Sequence, residues 1–351
     1  MTRREATAAG VVLAGVVLAG GQSPLPAADD PTEAARAAAR AYGKNLRAFD
    51  RYRCEFTSRQ GTAASADAAK AGKLKVHIGG DSTLTVDGRR ARQDNHGIPV
   101  RVGLAGKKVE PLPGTNLGTV EIDFFKESVY LTNGSEELVH DTGMTANVYS
   151  PDLHASPSPG HPLATGMFDW HLRTTPDKMA DLPAEYDLRG EGPQTLAGRP
   201  TVRARFTTRS GDTAWVVDFD PARGHLPYRT QRLTRPDGSK GPLQRETESW
   251  VLDAKDCGRG RFYPTRVVTF SPDRDGDPEV HAWDTVVRSV DADFKPAADT
   301  FDYRPAGRTG VIYSRSKVAP SLTLPAGATL RPDDLPGLVK QLKAKLPDPE
   351  R

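Results

Sequence analysis

The sequence predicts a mainly β fold with a few helices (α+β), organised as a curved antiparallel sheet. Two observations carry this. The run Trp215–Leu233 reads as two strands around a turn: Trp215, Val217 and Phe219 fall on one side of an extended backbone, Asp220-Pro221-Ala222-Arg223-Gly224 supplies turn chemistry, and Leu226 and Tyr228 resume the alternation. In composition, 33 Gly and 29 Pro among 351 residues with a hydrophobic fraction of 37% favour short strands and many turns, and exclude a helical bundle. The hairpin has one apolar face and the chain offers few helices to cover it, which leaves room for a lid or a ligand.

The first residues decide the compartment. Arg3 and Arg4 precede an uncharged run from Ala6 to Gly21, and Pro26-Ala27-Ala28 follows just before Asp29. That order of basic, apolar and small-residue regions is the layout of a cleavable export signal, with an apolar core too short to span a bilayer comfortably. Residues 1–28 are expected to be removed, leaving a soluble periplasmic or secreted chain that does not span a membrane. General secretion is preferred to the twin-arginine route, because Glu5-Ala6-Thr7 stands where apolar residues usually follow the arginine pair. No Cys lies near the cleavage region, so no lipid-modified N-terminal cysteine is expected.

Past the leader, Asp30-Pro31-Thr32-Glu33 suits a helix start, and Ala35, Ala39, Tyr42, Leu46 and Phe49 recur at intervals of four and three, which predicts a helix with one apolar face. Tyr52 to Phe56 alternates as a strand, an Ala-rich loop from Thr62 to Ala71 intervenes, and Leu74, Val76 and Ile78 alternate again, followed by Leu84 and Val86 up to an Asp87-Gly88 turn. Glu121 to Lys126 is short and ambiguous. A long Pro-, Ser- and His-rich loop spans 150–182, with Met167, Phe168 and Trp170 clustered in it as either a flap over a cavity or an anchor to the core. Seven strands then follow: Tyr186–Arg189, Thr201–Thr207, Ala214–Phe219, Tyr228–Thr234, Thr247–Leu252, Arg266–Phe270 and Val280–Val290. Residues 306–351 read as a Pro-rich tail with a short helix from Pro332 to Leu346.

The formal charge is +3, and basic residues are scattered among acidic ones, so the composition does not argue for nucleic acid. Cys54 and Cys257 are the only cysteines. In an exported chain they fit one disulfide, worth about 3 to 5 kcal/mol in the chain-entropy model, or two separate thiols; both readings stay open. Asp273, Asp275, Asp277 and Glu279 alternate around Gly276 as in a calcium loop, but the spacing falls short of a full loop and Asp275-Gly276 reads more simply as a hairpin turn. His154, His161 and His171 sit on the long loop without the short fixed spacing of metal ligands. No metal, cofactor or catalytic residue is assigned. A hydrolase using scattered carboxylates is the weakest of the functional readings.

Leu196 to Val202 (LAGRPTV), a Trp-x-Val-Asp strand at Trp215–Asp218, the turn from Asp220 to Pro227 and Asp291 to Phe294, set behind a leading helix, resemble the LolA-like group of periplasmic lipoprotein-sorting and lipid-carrier proteins. The resemblance covers roughly residues 32–305. It implies an unclosed β-barrel wrapping helices over 29–305, with an apolar concave side formed by Phe56, Leu74, Val76, Val202, Phe206, Trp215, Val217, Phe219, Val268 and Phe270. The function it implies is a non-enzymatic carrier of a lipid or of the acyl chains of a lipoprotein. The alternative is an envelope sensor or scaffold of the same fold that binds a protein. An open apolar cavity would favour the first reading, and a collapsed, filled interior beside an exposed apolar patch the second.

Overall fold

The computed structural model describes residues 30–98, 100–102, 120–122, 127–133, 135–141, 146–149, 186–235, 241–271, 279–305, 307–313 and 320–346. Its elements are α1 (Pro31–Arg47), β1 (Arg51–Ala63), α2 (Ala66–Lys70), β2 (Lys75–Asp87), β3 (Arg90–Ile98), β4 (Val100–Val102), β5 (Val120–Ile122), β6 (Glu127–Thr132), β7 (Glu137–Asp141), β8 (Ala146–Tyr149), β9 (Tyr186–Leu196), β10 (Arg199–Thr208), β11 (Thr213–Asp220), β12 (Leu226–Thr234), β13 (Gln244–Asp256), β14 (Phe262–Phe270), β15 (Val280–Asp291), β16 (Thr309–Tyr313), β17 (Ser321–Leu324) and α3 (Leu335–Lys343).

Fifteen of these strands form one sheet in the order β17-β16-β8-β7-β6-β3-β2-β1-β15-β14-β13-β12-β11-β10-β9, and β4 pairs with β5 separately. The sheet is curved and does not close, so β17 and β9 are its edges. Its neighbours run antiparallel except β16 and β8, which are parallel. The expected mainly β fold on a curved, unclosed sheet with few helices is the one observed.

Local chemistry explains the helices. Asp30 caps α1 by accepting from the Thr32 N–H at 2.8 Å, Pro31 occupies the first turn, and Lys44 and Arg47 sit in the last, where cations suit the helix dipole. The Ala-rich stretch expected as a loop contains α2, started by Ser65, whose Oγ accepts from the Ala68 N–H at 3.1 Å. The two strands read near Leu74 and Leu84 are one 13-residue strand, β2. At the β11–β12 turn, Gly224 takes the left-handed conformation at φ 60°, which costs glycine nothing.

Each helix covers a different part of the sheet. Ala35, Ala38, Ala39 and Tyr42 of α1 pack on Leu188, Ala204, Phe206, Trp215, Val217, Phe219 and Leu226 of β9–β12. Ala69 of α2 packs with Ala63, Tyr228, Trp250, Val268, Phe270, Val280 and Ala282. Leu335, Leu338, Val339 and Leu342 of α3 pack with Leu131, Leu138, Ala146, Val148 and Val311 at the far end. The segment read as a tail thus contributes β16, β17 and α3.

Candidate functional site

The face of the sheet that carries α1 is the site the sequence points to. Cross-strand pairs share a face, so register assigns the faces. Val217 pairs with Ala204 and Thr230, Thr230 with Ser249, Ser249 with Thr269, and Thr269 with Trp283, all on the α1 side. Trp250 pairs with Val268, and Glu248 with Phe270, on the other side.

The ten positions expected to form one concave surface therefore divide. Phe56, Val202, Phe206, Trp215, Val217 and Phe219 lie on the α1 side, as their packing against α1 and the adjoining Phe49 confirms. Val268 and Phe270 lie on the opposite face beside α2, and Leu74 packs there with them. Val76 joins that side: it pairs with Gly61, which pairs with Ala282. An irregularity between Gln60 and Gly61 shifts the register and moves Val76 off the face of Leu84. Alternation in one strand gives two sets of residues but does not say which face of its neighbour each set joins, so the sequence merged two apolar surfaces into one.

The α1-side apolar surface is filled. Phe206, Val217 and Phe219 are 0% exposed and Trp215 is 4% exposed. Tyr42 of α1 lies with its ring centroid 6.2 Å from that of Phe219, and Tyr186 packs edge-on to Trp215 at 5.3 Å. Close approach of α1 to β9 is allowed by Gly190, where an added Cβ would lie 1.8 Å from the Pro31 carbonyl oxygen.

Beyond α1 the same face turns polar. Ser249 Oγ and Thr269 Oγ1 are 2.8 Å apart, and Ser58 Oγ and Thr285 Oγ1 are 3.1 Å apart. Ser82 donates to Asn95 Oδ1 at 2.7 Å, Gln93 donates to the same oxygen at 2.6 Å, and Asn95 Nδ2 donates to Ser128 Oγ at 3.0 Å. These side chains make a belt across β13, β14, β15, β1, β2, β3 and β6, seven neighbours in the sheet. Sequence reading missed it, since serine and threonine at alternate positions of a strand look like a solvated face.

The opposite face carries charge. Asp218, 0% exposed, accepts from Arg203 Nε at 2.7 Å and from Arg229 Nε at 2.9 Å. Glu248 accepts from Gln231 at 2.7 Å, from Arg245 at 2.6 Å and from the Trp250 indole N–H at 2.6 Å. Lys70 of α2 sits 4.7 Å from the Trp250 ring centroid. Near the C-terminal elements, Arg92 donates to the Asp302 carbonyl at 2.6 Å and lines a polar cleft of about 340 Å³ with Asp299, Asp302, Tyr303 and Arg304. Burial pushes the Tyr303 hydroxyl up to about 12, and His140 hydrogen-bonds it.

Cys54 and Cys257 are both free thiols here. The Tyr263 hydroxyl donates to Cys54 Sγ at 3.2 Å, and burial pushes this thiol up to about 12, which makes it an unreactive core group. Met167, Phe168, Trp170, the three loop histidines and the acidic turn at 273–277 lie outside the described residues. Among the described residues, no three His, Cys, Asp or Glu side chains gather as metal ligands, and no helix is long and apolar enough to cross a membrane.

No family model and no curated protein matches the chain. Among solved structures it is similar to a DUF1329 family protein from Desulfovibrio piger, at 11% identity over 78% of this chain and 98% of that one, with a TM-score of 0.46. It is also similar to a putative outer membrane lipoprotein-sorting protein domain from Vibrio parahaemolyticus (11% identity, 76% and 96% covered, TM-score 0.43). A third is a LolA superfamily protein from Nitrosomonas europaea (12% identity, 75% and 94% covered, TM-score 0.40). The fold itself is one unclosed and almost wholly antiparallel sheet carrying packed helices, the curved-sheet class that the sequence predicts.

Proposed function

We propose that this chain is an exported, non-catalytic binding module of the cell envelope that engages its ligand on the α1 face of the sheet, beside α1. The observation that supports this is the division of that face. Its apolar part is filled by Ala35, Ala38, Ala39 and Tyr42, while the strands beyond it carry a belt of bonded hydroxyl and amide groups in which Ser58, Asn95 and Thr269 are half-buried and Ser82, Ser249 and Thr285 buried. A standing acyl cavity needs apolar walls open to a ligand. Neither cleft described in this fold includes Phe206, Trp215, Val217 or Phe219: one is polar, lined by Arg92, Asp299, Asp302, Tyr303 and Arg304, and the other lies at the β16–β17 hairpin, lined by Arg308, Thr323, Pro325 and Ala326. This favours surface recognition by a sensor or scaffold over a carrier with a permanent cavity. The basic–apolar–small order of residues 1–28 supports export to the periplasm or beyond.

A carrier for lipid or lipoprotein acyl chains is the second reading. Phe206, Trp215, Val217 and Phe219 support it, since displacing α1 would uncover a surface suited to hydrocarbon. Native mass spectrometry of the exported chain, purified gently from its own envelope fraction, tests the pair. Recovery without acyl mass, together with no binding of a fluorescent fatty acid, is the expected result. Stoichiometric acyl mass would overturn the preference and establish the carrier.

A further inference from the structure

Trp283 is 38% exposed, whereas most large apolar side chains of the described sheet are buried. It stands on the α1 side of β15, in register between Gln60 of β1 and Thr269 of β14. Next to it on the same face are the bonded pairs Ser58–Thr285 and Ser249–Thr269, with oxygens 3.1 Å and 2.8 Å apart. Gly80 pairs with Ser58 and adds no side chain, so the strip stays low beside the indole. Arg59 and Asp284 point the other way: they pair across β1 and β15, and the Asp284 carboxylate accepts from Arg266 at 3.2 Å and 3.1 Å on the opposite face, while Thr62, His281 and Lys75 share the side of Gln60 and Trp283, one pair further along.

The result is an aromatic platform whose accessible polar neighbours are the half-buried Gln60 and Thr269, with Ser249 and Thr285 buried beside them. We propose that it is a subsite for a neutral polyhydroxyl ligand, an oligosaccharide segment that stacks the C–H face of one ring on Trp283 and hydrogen-bonds Gln60 and Thr269. This rests on the α1 face being the binding surface. An indole offers a broad apolar face, which matches the C–H side of a sugar ring. Gln supplies two donors and an acceptor, and Thr one donor and two lone pairs, which matches the mixed donors and acceptors around a sugar. An acyl chain laid here would strip water from those hydroxyls without replacing their hydrogen bonds, a net cost. An anion would meet no Lys or Arg in register with Trp283, since Lys75 on this face pairs with Thr62, two residues beyond Gln60.

The test uses the mature chain, titrated calorimetrically with neutral malto-, cello- and chito-oligosaccharides and, in parallel, with a fluorescent fatty acid as an acyl probe. At least one oligosaccharide series is expected to bind. Trp283→Ala should weaken that binding by about tenfold or more with thermal unfolding unchanged, and Trp283→Phe should retain part of it. No oligosaccharide binding, or equal binding by Trp283→Ala, overturns the proposal. If the fatty acid binds instead and Trp283→Ala weakens it, the α1 face stands as the binding surface and the polyhydroxyl assignment falls. If neither probe depends on Trp283, both fall.

Discussion

The carboxamide of Asn45, at the C-terminal end of α1, pairs with both backbone groups of Phe262: Nδ2 donates to the carbonyl at 2.9 Å and Oδ1 accepts from the N–H at 2.9 Å. A side chain here does what a neighbouring strand would do. It satisfies the first residue of β14 and pins a helix to a strand 217 residues later in the chain. Since Asn45 is 6% exposed, water cannot readily replace it.

Asn45→Ala should therefore destabilise the fold by about 2–4 kcal/mol, because it leaves a donor and an acceptor unpaired in a buried place. Asn45→Asp keeps the acceptor for the Phe262 N–H but sets a carboxylate against the Phe262 carbonyl, and should be no better. Urea unfolding measures both; a change within about 0.5 kcal/mol would mean the clip is water-replaceable.

Gly190→Ala tests the close approach at the other end of α1. The new Cβ would fall 1.8 Å from the Pro31 oxygen and 2.6 Å from the Thr32 nitrogen, both backbone atoms that move only with the helix start. A loss of about 1–3 kcal/mol is expected in thermal unfolding, as for an overpacked core. Gly192→Ala is the matched control for crowding, because an added Cβ there meets none of the described residues within 4 Å, although its φ of 79° carries its own backbone cost.

His225 gives the fold an acid sensitivity. It sits at φ 57°, its Nε2 is buried without a hydrogen-bond partner among the described residues, and burial lowers its pKa, opposed in part by Asp220. The folded state binds the proton less tightly than the unfolded chain, so stability is full above the ordinary histidine range near 6.5 and falls as pH drops below it. His225→Asn keeps a residue that tolerates the left-handed conformation and removes the titration. The melting temperature of the wild type should fall more than that of the variant between pH 7.5 and pH 5.5; parallel losses would remove His225 as the cause.

Much of this was legible in the sequence. Alternation and Asp-Gly or Asp-Pro turns placed the hairpins from β9 to β15, and the four-and-three spacing from Ala35 to Phe49 placed α1. The partners across the sheet were not legible. Val268 and Val217 look alike in sequence, yet they face opposite sides, because facing depends on long-range register through β12, β13 and β14 and its local shifts. Asp218 shows the same limit. It reads as the polar half of an alternating strand, and only the fold brings Arg203 and Arg229 to it from neighbouring strands.

Asp218→Asn should cost about 3–5 kcal/mol, the range for breaking a buried ion pair by removing one partner. The neutral amide is nearly isosteric, so packing on β11 is kept, but the guanidinium groups of Arg203 and Arg229, with side chains 21% and 15% exposed, lose their shared carboxylate. If denaturation shows less than about 1 kcal/mol, water reaches both arginines and the triad is a surface feature.

Val217 decides between filled core and ligand surface. It is 0% exposed beneath α1, with Phe219 and Trp215 as its companions on the same strand face. Val217→Glu would set a carboxylate among Ala, Tyr and Phe side chains: Arg203 and Arg205 alternate to the other side, and Arg232, which pairs with Trp215 on this face, is already engaged with Glu246 at 3.4 Å. An unpaired buried charge costs more than about 4 kcal/mol, enough to unfold a domain of ordinary stability. The expected outcome is an insoluble or unfolded variant by circular dichroism. A folded Val217→Glu variant that has lost fatty-acid binding would instead mean that α1 leaves this surface readily, and would restore the acyl-carrier reading over surface recognition.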